Sequence, residues 1–243
     1  MSDDATFQQL DNLLADIKEK YVSHRDFWDL YTKSGKTLRI LTVNLEILKA
    51  LLHDRDILDK SDACTVDSAL LQWAMGRMYG SCFERLTGRE IVERSVDYLS
   101  KRGVLLFGAS DEARHKALQR YLALAGPNAR VQGFDESVAI GSDVSHEARL
   151  CGFFAYGYPK QERKIDAFRI LNPDRPVVLI GVGGAIDYFS GSVKRPPKIA
   201  TQTGFEWLWR LLTQPKARVR RIAAIVPFAL RLAAHSYLAQ SLK

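Results

Sequence analysis

Three short segments combine glycines and polar side chains in patterns suited to a phosphorylated or hydroxyl-rich ligand. The first, GVGGAIDYFSG at 181–191, follows an apolar run and places Gly183 and Gly184 before Asp187. Glycines directly beyond a strand let backbone amides approach a phosphate or a ribose. The segment is not G-x-G-x-x-G, because Ile186 stands where that pattern requires glycine. A tight turn without a ligand is therefore the alternative interpretation.

The second segment is GYPKQE at 157–162, again after an apolar run. Gly157 would end a strand, Pro159 would begin a helix, and Gln161 would lie in its first turn. Exposed amides beside an amide side chain suit a hydroxyl-rich or anionic ligand. An ordinary helix start is the alternative, because proline and glutamate are common there.

The third pattern is a pair of polar strand ends. Thr42 and Asn44 close the first predicted strand, and Asp67 follows the second, about 25 residues later. In a parallel sheet these ends could face one cleft, where a carboxylate could act as a general base. The alternative is that Asp67 and Ser68 cap the following helix.

Apolar runs and helical stretches alternate along the chain, which predicts an α/β fold with a Rossmann-like parallel sheet covered by helices on both faces. We expect a helical segment at 1–35, the α/β core at 36–203 and a basic helical appendage at 204–243. The predicted strands are 38–43, 63–66, 103–107, 129–134, 151–156 and 176–181. The predicted helices are 6–30, 45–52, 89–102, 111–125, one after Pro159, an apolar aromatic stretch at 205–213 and 217–242.

The net charge of +7 lies entirely in the C-terminal part of the chain. After Glu206 there are seven basic residues and no acidic residue, whereas the preceding 206 residues contain 28 of each. Basic residues followed by a long apolar segment are typical of an amphipathic helix on an anionic membrane surface. An ordinary helix docked on the core is the alternative. The uninterrupted apolar run 222–230 is too short to span a bilayer, which needs about 20 residues.

Cysteines and histidines indicate neither a disulfide framework nor a metal site. Cys64, Cys82 and Cys151 are few and widely spaced, and the five histidines form no H-x-x-x-H or H-x-E pattern. The acidic N-terminus has no apolar segment typical of a signal peptide. We therefore expect a cytoplasmic protein that requires neither a metal nor another cofactor.

A series of motifs in a fixed order resembles the WecG/TagA/CpsF glycosyltransferases, known as glycosyltransferase family 26. The resemblance covers residues 38–221. Its motifs are T-x-N-x-E-I from Thr42, ERLTG at 84–88, G-x-PKQE at 157–162, the glycine segment at 181–191, R-x-P at 195–197, G-x-EW-x-x-R at 204–210 and P-x-x-R-x-x-R at 215–221.

The resemblance implies a compact α/β glycosyltransferase core with a C-terminal appendage that docks on membranes. The implied activity is inverting transfer of a hexose from a UDP-sugar to a polyprenyl-diphosphate-linked saccharide, in the synthesis of bacterial surface polysaccharides or wall polymers. The hexose would be N-acetylmannosamine, its uronic acid, or a sugar of the glucose or glucuronic acid type. The implied location is the cytoplasmic face of the plasma membrane. No nucleic-acid partner is expected, and a homo-oligomer is possible.

The resemblance also assigns roles to individual residues. Asp67 matches the proposed base, although Val66-Asp67-Ser68 stands where the family has Pro-Asp-Gly. Thr42 and Gln161 match the other expected catalytic positions. The expected donor-binding residues are Asn44, Arg85, Gly108, Gly157, Gly183, Gly184, Asp187, Arg218 and Arg221. Membrane contact by the last helix would bring the appendage arginines to the site.

Two other classes of function remain open at this stage. A nucleotide-dependent oxidoreductase could use the Gly181–Gly184 loop, with Glu206 at the distance of a ribose-binding acid but inside an aromatic stretch. A non-catalytic protein could use the basic tail to bind a membrane or a nucleic acid. Because the basic residues flank an apolar helix, lipid is favoured over nucleic acid.

Overall fold

Parallel strands form one sheet in the order β2-β1-β6-β5-β3-β4. The computed structural model describes residues 3–134, 149–194, 197, 209, 212 and 215–241. In these residues the strands are β1 (Leu38–Val43), β2 (Ala63–Val66), β3 (Gly103–Gly108), β4 (Val131–Phe134), β5 (Leu150–Ala155) and β6 (Val177–Gly181). The predicted α/β fold with a parallel sheet is confirmed.

The helices alternate with the strands. They are α1 (Asp3–Lys20), α2 (His24–Lys33), α3 (Leu45–Leu51), α4 (Asp56–Asp59), α5 (Ala69–Tyr79), α6 (Gly88–Arg94), α7 (Asp111–Ala125), α8 (Lys160–Leu171), α9 (Ala185–Phe189) and α10 (Pro215–Ser241), with a 3-10 turn at Ser95–Tyr98. Most of the predicted aromatic stretch 205–213 lies outside the described residues.

Helices cover both faces of the sheet, which is why its central strands are apolar at nearly every position. On one face, alternate strand residues such as Ile40 and Val178 pack against α2, α6, α7 and α9. On the other, Leu41 packs with α1, α3, α5 and α10. Leu179 on that face packs with α8. A strand buried on both faces has no polar face to expose.

Two helix boundaries differ from the sequence prediction. The predicted helix 6–30 is two helices, because the Val22 amide leaves the helix to donate to the Cys64 carbonyl at 3.0 Å and Ser23 caps α2. In place of the predicted helix 89–102, the structure has the shorter helix α6 followed by a 3-10 turn. There the amides of Lys101 and Arg102 both donate to the Tyr98 carbonyl, which turns the chain into β3.

Helix α5 was not predicted, although its signal is present in the sequence. Leu71, Ala74, Met75 and Met78 are buried at helical spacing, and Gly80 closes the helix with φ +63°. The segment follows β2 directly and carries α10 on its outer side. It thereby links the sheet to the C-terminal helix.

The C-terminal helix α10 packs on the body of the protein through one face. Phe228 and Leu232 are buried in the same apolar cluster as α1, α3 and α5. His235 Nε2 lies 2.7 Å from Asp11 Oδ1, and its ring stacks on Phe7 at 4.8 Å between centroids. The helix is therefore part of the core on this side and is not a detached tail.

Candidate functional site

The carboxyl ends of β1, β2 and β6 open into a cleft of about 140 Å³. It lies where the chain order reverses, with β2 on one side of β1 and β6 on the other, which is the usual ligand position in open α/β sheets. Its lining residues are Thr42, Asn44, Glu46, Asp67, Thr87, Gly88, Arg89, Gly157, Tyr158, Gln161, Gly181, Val182, Gly183, Gly184 and Ala185. The cleft thus unites the three segments singled out in the sequence.

The Thr42 hydroxyl joins the two central strands of the cleft. Its Oγ1 donates to the Gly181 carbonyl at 2.6 Å, and the side chain is buried. Because the hydroxyl proton is used in this bond, Oγ1 can act only as an acceptor toward any further partner. Thr42 can therefore accept a hydrogen bond from a ligand while it holds β1 against β6.

Asp67 lies in the cleft because the β1–β2 ladder extends one residue beyond β2. Its amide donates to the Val43 carbonyl at 2.9 Å. The cap of α5 is Ser68, whose Oγ accepts the Leu71 amide at 3.3 Å. The helix-cap interpretation therefore holds for Ser68, and Asp67 lines the cleft.

Asn44 lines the cleft and also starts a helix. Its Oδ1 accepts the amides of Glu46 and Ile47, both at 3.0 Å, and so caps α3. A capping side chain of this kind contributes about 1 kcal/mol to stability. This contact orients the amide group and positions α3 beside the cleft.

Gln161 is fixed at the bottom of the cleft by two hydrogen bonds. It is 3% exposed. Its Oε1 accepts the Gly183 amide at 3.1 Å, and its Nε2 donates to Glu162 Oε1 at 3.0 Å. A Cβ atom on Gly181 would lie 2.4 Å from this Nε2, so any larger residue would displace the Gln161 amide. The glycine segment therefore forms a turn and also lets the Gln161 side-chain amide pack closely against the backbone.

Arg39 stands behind Gln161 and was missed in the sequence analysis. Its Nη2 lies 2.7 Å from Glu162 Oε2 and its Nη1 lies 2.7 Å from Asp166 Oδ1. The Arg39 side chain is fully buried and that of Glu162 is 4% exposed. The signal in the sequence was a charge inside the apolar strand LRILTV, since such a charge needs a buried partner.

The glycines at the rim have backbone conformations that other residues rarely adopt. Gly157 has φ +73° and Gly183 has φ +53°. Across the cleft, a Cβ on Gly88 would lie 3.0 Å from the Val182 carbonyl oxygen, so α6 closely approaches the glycine segment. These positions keep the backbone accessible at the edge of the cleft.

Several expected site residues lie elsewhere. Gly108 ends β3, which β5 separates from β6, and its carbonyl accepts from Arg114 at 3.1 Å. Arg85 and Asp187 are also absent from the cleft lining described above, although the Asp187 carboxylate lies beside Gly184. Arg218 and Arg221 lie in α10, and their side chains are outside the described residues, as is Glu206. The roles expected for these residues remain predictions.

Four polar side chains of the cleft were not singled out as site residues in the sequence: Glu46, Thr87, Arg89 and Tyr158. Glu46 and Arg89 belong to or directly follow the quoted motifs T-x-N-x-E-I and ERLTG, so their positions were recoverable. Burial raises the pKa of Tyr158, and the carboxylates of Asp54, Glu162 and Glu46 raise it further. Tyr158 therefore remains a neutral hydroxyl at neutral pH.

The thiols and carboxylates show no redox or metal arrangement in the part of the chain that the structure describes. No group of three histidine, cysteine, aspartate or glutamate side chains there could hold a metal ion. Cys64, Cys82 and Cys151 are free, and burial raises the pKa of Cys64 and of Cys151 to about 12. These two thiols are unreactive packing groups.

Comparison with known proteins identifies the family. The sequence model of the glycosyl transferase WecG/TagA/CpsF family matches residues 16–241. An N-acetylglucosaminyldiphosphoundecaprenol N-acetyl-beta-D-mannosaminyltransferase of Bacillus subtilis is 29% identical over 201 residues, which cover 79% of this chain and 77% of that protein. Enzymes of the same name from Bacillus spizizenii and Staphylococcus aureus are 28% and 27% identical and cover 88% and 83% of this chain, and 85% and 82% of their own lengths. The chain therefore belongs to the WecG/TagA/CpsF glycosyl transferase family.

Proposed function

We propose that this glycosyltransferase moves a hexose from a UDP-sugar, with inversion, to a polyprenyl-diphosphate-linked saccharide in bacterial surface polymer synthesis. The observation that carries the proposal is the cleft at the ends of β1, β2 and β6, which Asp67, Thr42, Gln161 and the glycine segment line together. The names of the relatives support an acceptor of the N-acetylglucosaminyl-diphosphoundecaprenol type and a donor of N-acetylmannosamine.

Asp67 is the proposed general base. Inversion requires a nucleophile that attacks the sugar carbon from the face opposite the departing diphosphate. Asp67 would take the proton of the acceptor hydroxyl as the new glycosidic bond forms. Thr42 would accept a hydrogen bond from the sugar, because its own proton is committed to Gly181.

The leaving diphosphate needs positive charge from side chains in this proposal. The Gly183 amide donates to Gln161 and the Ala185 amide donates to the Val182 carbonyl, so both are used inside the protein. Arg89 lines the cleft and supplies one cation. Arg218 and Arg221 would supply the others, and no metal is invoked.

The outer face of α10 supports peripheral binding to a membrane. Val219, Val226, Leu230 and Tyr237 are exposed and recur at helical spacing, with the exposed Leu238 beside them, whereas Phe228 and Leu232 on the opposite face are buried. We call the five exposed residues the outer stripe. An exposed apolar stripe bordered by basic residues fits the boundary between lipid headgroups and acyl chains.

Aromatic and cationic side chains extend the outer stripe onto α5. Trp73 is exposed with its ring 5.8 Å from that of Tyr237, and the Arg77 guanidinium lies 4.2 Å from the Tyr237 ring centroid. Tryptophan and tyrosine are enriched at membrane–water interfaces. This cluster favours a lipid surface over a nucleic acid as the partner of the tail.

Binding along the surface is favoured over crossing the bilayer. The segment Ile222–Ala239 has 18 residues with a mean hydropathy of 1.5, so by length and composition alone it could cross a membrane. However, one face of α10 holds His235 against Asp11 and packs on α1 and α5. A helix so packed presents only its other face to lipid, which supports peripheral binding. The side of the membrane that we propose is the cytoplasmic face.

Replacing Leu230 with glutamate is expected to weaken binding to vesicles that contain phosphatidylglycerol by at least tenfold. Leu230 is 66% exposed, so the fold is retained, while roughly 2 kcal/mol of apolar burial in lipid is lost. Co-sedimentation measures the binding. Leu124→Glu is the matched control, since Leu124 is 58% exposed on α7. Equal binding by both variants would exclude the outer stripe as the membrane contact.

The activity itself is tested with the purified full chain and N-acetylglucosaminyl-diphosphoundecaprenol. UDP-N-acetylmannosamine, its uronic acid counterpart, UDP-glucose and UDP-glucuronic acid are supplied in turn, and UDP release and product mass are measured. We expect one donor to give a disaccharide-lipid whose new linkage has the inverted configuration by NMR. Retained configuration would exclude the mechanism, and absence of product from every donor would exclude the proposed function.

A further inference from the structure

A groove of about 400 Å³ lies between α3 and α10, directly beside the cleft. Glu46 lines both spaces, so the two adjoin at this residue. The other groove residues used here are Lys49 and His53 of α3 and Arg220, Ala224 and Ile225 of α10. None of these was assigned a role by the motifs.

The chemistry of the groove is mixed. Lys49 and Arg220 carry positive charge, and Ala224 and Ile225 contribute apolar surface. Lys49 Nζ donates to the Ala224 carbonyl at 2.7 Å and so holds α3 at a fixed distance from α10. An ammonium group has three donors, so the same Lys49 can also bind an anion in the groove.

The groove lies along one flank of α10. Arg220 and Ala224 are one helical turn apart, between the outer stripe on one side and the buried Phe228 and Leu232 on the other. If the outer stripe contacts lipid, this flank lies at the membrane surface. The groove then leads from the membrane to the cleft.

We propose that the groove between α3 and α10 binds the diphosphate and first isoprene units of the lipid-linked acceptor. This inference rests on the proposed function and adds the path of the lipid. A polyprenyl diphosphate is dianionic next to an apolar chain, which matches cations beside Ala224 and Ile225. Glu46, at the junction with the cleft, suits the hydroxyls of the attached sugar because a carboxylate accepts hydrogen bonds from them.

Arg220→Glu in the full chain tests the groove kinetically. We expect the KM for the lipid-linked acceptor to rise roughly tenfold, with the KM for the sugar nucleotide unchanged. Arg220 is exposed, so folding is not at risk. Arg231→Glu is the matched control, since Arg231 is exposed on the same flank of the same helix but outside the groove. Both variants lose the same attraction to an anionic membrane, so their difference isolates the groove.

Binding measured without a membrane distinguishes the groove from lipid headgroups as the source of the acceptor affinity. Farnesyl diphosphate serves as a soluble probe, measured by calorimetry without vesicles, with farnesol and inorganic diphosphate as partial probes. We expect farnesyl diphosphate to bind the wild-type chain more tightly than either partial probe. Lys49→Met and Arg220→Glu should each weaken this binding about tenfold, with thermal unfolding showing that both variants are folded.

The outcomes distinguish this inference from the proposed function. Turnover with an acceptor KM that is the same in Arg220→Glu and Arg231→Glu would keep the proposed function and overturn the groove. If Arg220→Glu instead raised the KM for the sugar nucleotide, the groove would belong to the donor site, and the acceptor proposal would be overturned. Farnesyl diphosphate binding that depends on Lys49, in a chain without turnover, would support the groove and overturn the proposed function.

Discussion

Replacing Asp67 with asparagine is expected to lower kcat for glycosyl transfer by about 10²- to 10⁴-fold, which is the usual contribution of a general base. The substitution keeps the size of the side chain and its place at the end of β2. Because Ser68 caps α5, the fold does not depend on the Asp67 carboxylate for that cap. UDP release with the lipid-linked acceptor measures the rate, and thermal unfolding confirms the fold.

Ser68→Gly is the control for the Asp67 substitution. It introduces the glycine that the resemblance implies after the base and removes the cap hydroxyl, at a cost of a few tenths of a kcal/mol. We expect turnover within about threefold of the wild-type chain, since the carboxylate is retained. A rate for Asp67→Asn equal to that of the wild-type chain would remove Asp67 from the mechanism.

Replacing Arg39 with methionine is expected to lower the free energy of unfolding by about 3–5 kcal/mol, because it leaves the buried Glu162 carboxylate without its cation. The double variant Arg39→Met, Glu162→Gln should recover most of this loss. In that variant both charges are absent, and the new amide oxygen can still accept from Gln161 Nε2. Urea unfolding measures all three proteins.

Arg55→Met is the matched control for the Arg39 substitution. Arg55 forms an ion pair with Asp16, and both side chains are partly exposed. Such pairs contribute about 0–1 kcal/mol, so the control should unfold close to the wild-type chain. If the two single variants lost the same stability, the ion pair behind Gln161 would be no more important than a surface pair.

The strands were predictable because each is a continuous apolar run. GVLLFG at 103–108 and VVLIG at 177–181 are buried at every position, which only a doubly covered strand explains. Helix breaks were less predictable. The division of α1 from α2 depends on an amide contact with Cys64, more than 40 residues away in sequence, and no local pattern contains such a partner.

Only part of the membership of the candidate site was predictable, and its internal contacts were not. Thr42, Asp67, Gln161 and the glycine segment were expected at one edge, because parallel strands present their carboxyl ends together. The link between Arg39 and Glu162 joins residues 123 positions apart, so spacing could not indicate it. The same limit applies to Gly108, which ends a strand as expected but lies two strands away from β6 in the sheet.

By itself, the sequence determined the fold class, the polar strand ends and the charge division after Glu206, because these depend on the local order of apolar, polar and basic residues. Only the tertiary structure decided the strand order, the cap at Ser68 and the orientation of α10. From Ile222 onward that helix has apolar residues on two opposite faces, so periodicity alone cannot say which face is buried. Packing against α1, α3 and α5 selects Phe228 and Leu232 for the core and leaves the outer stripe exposed.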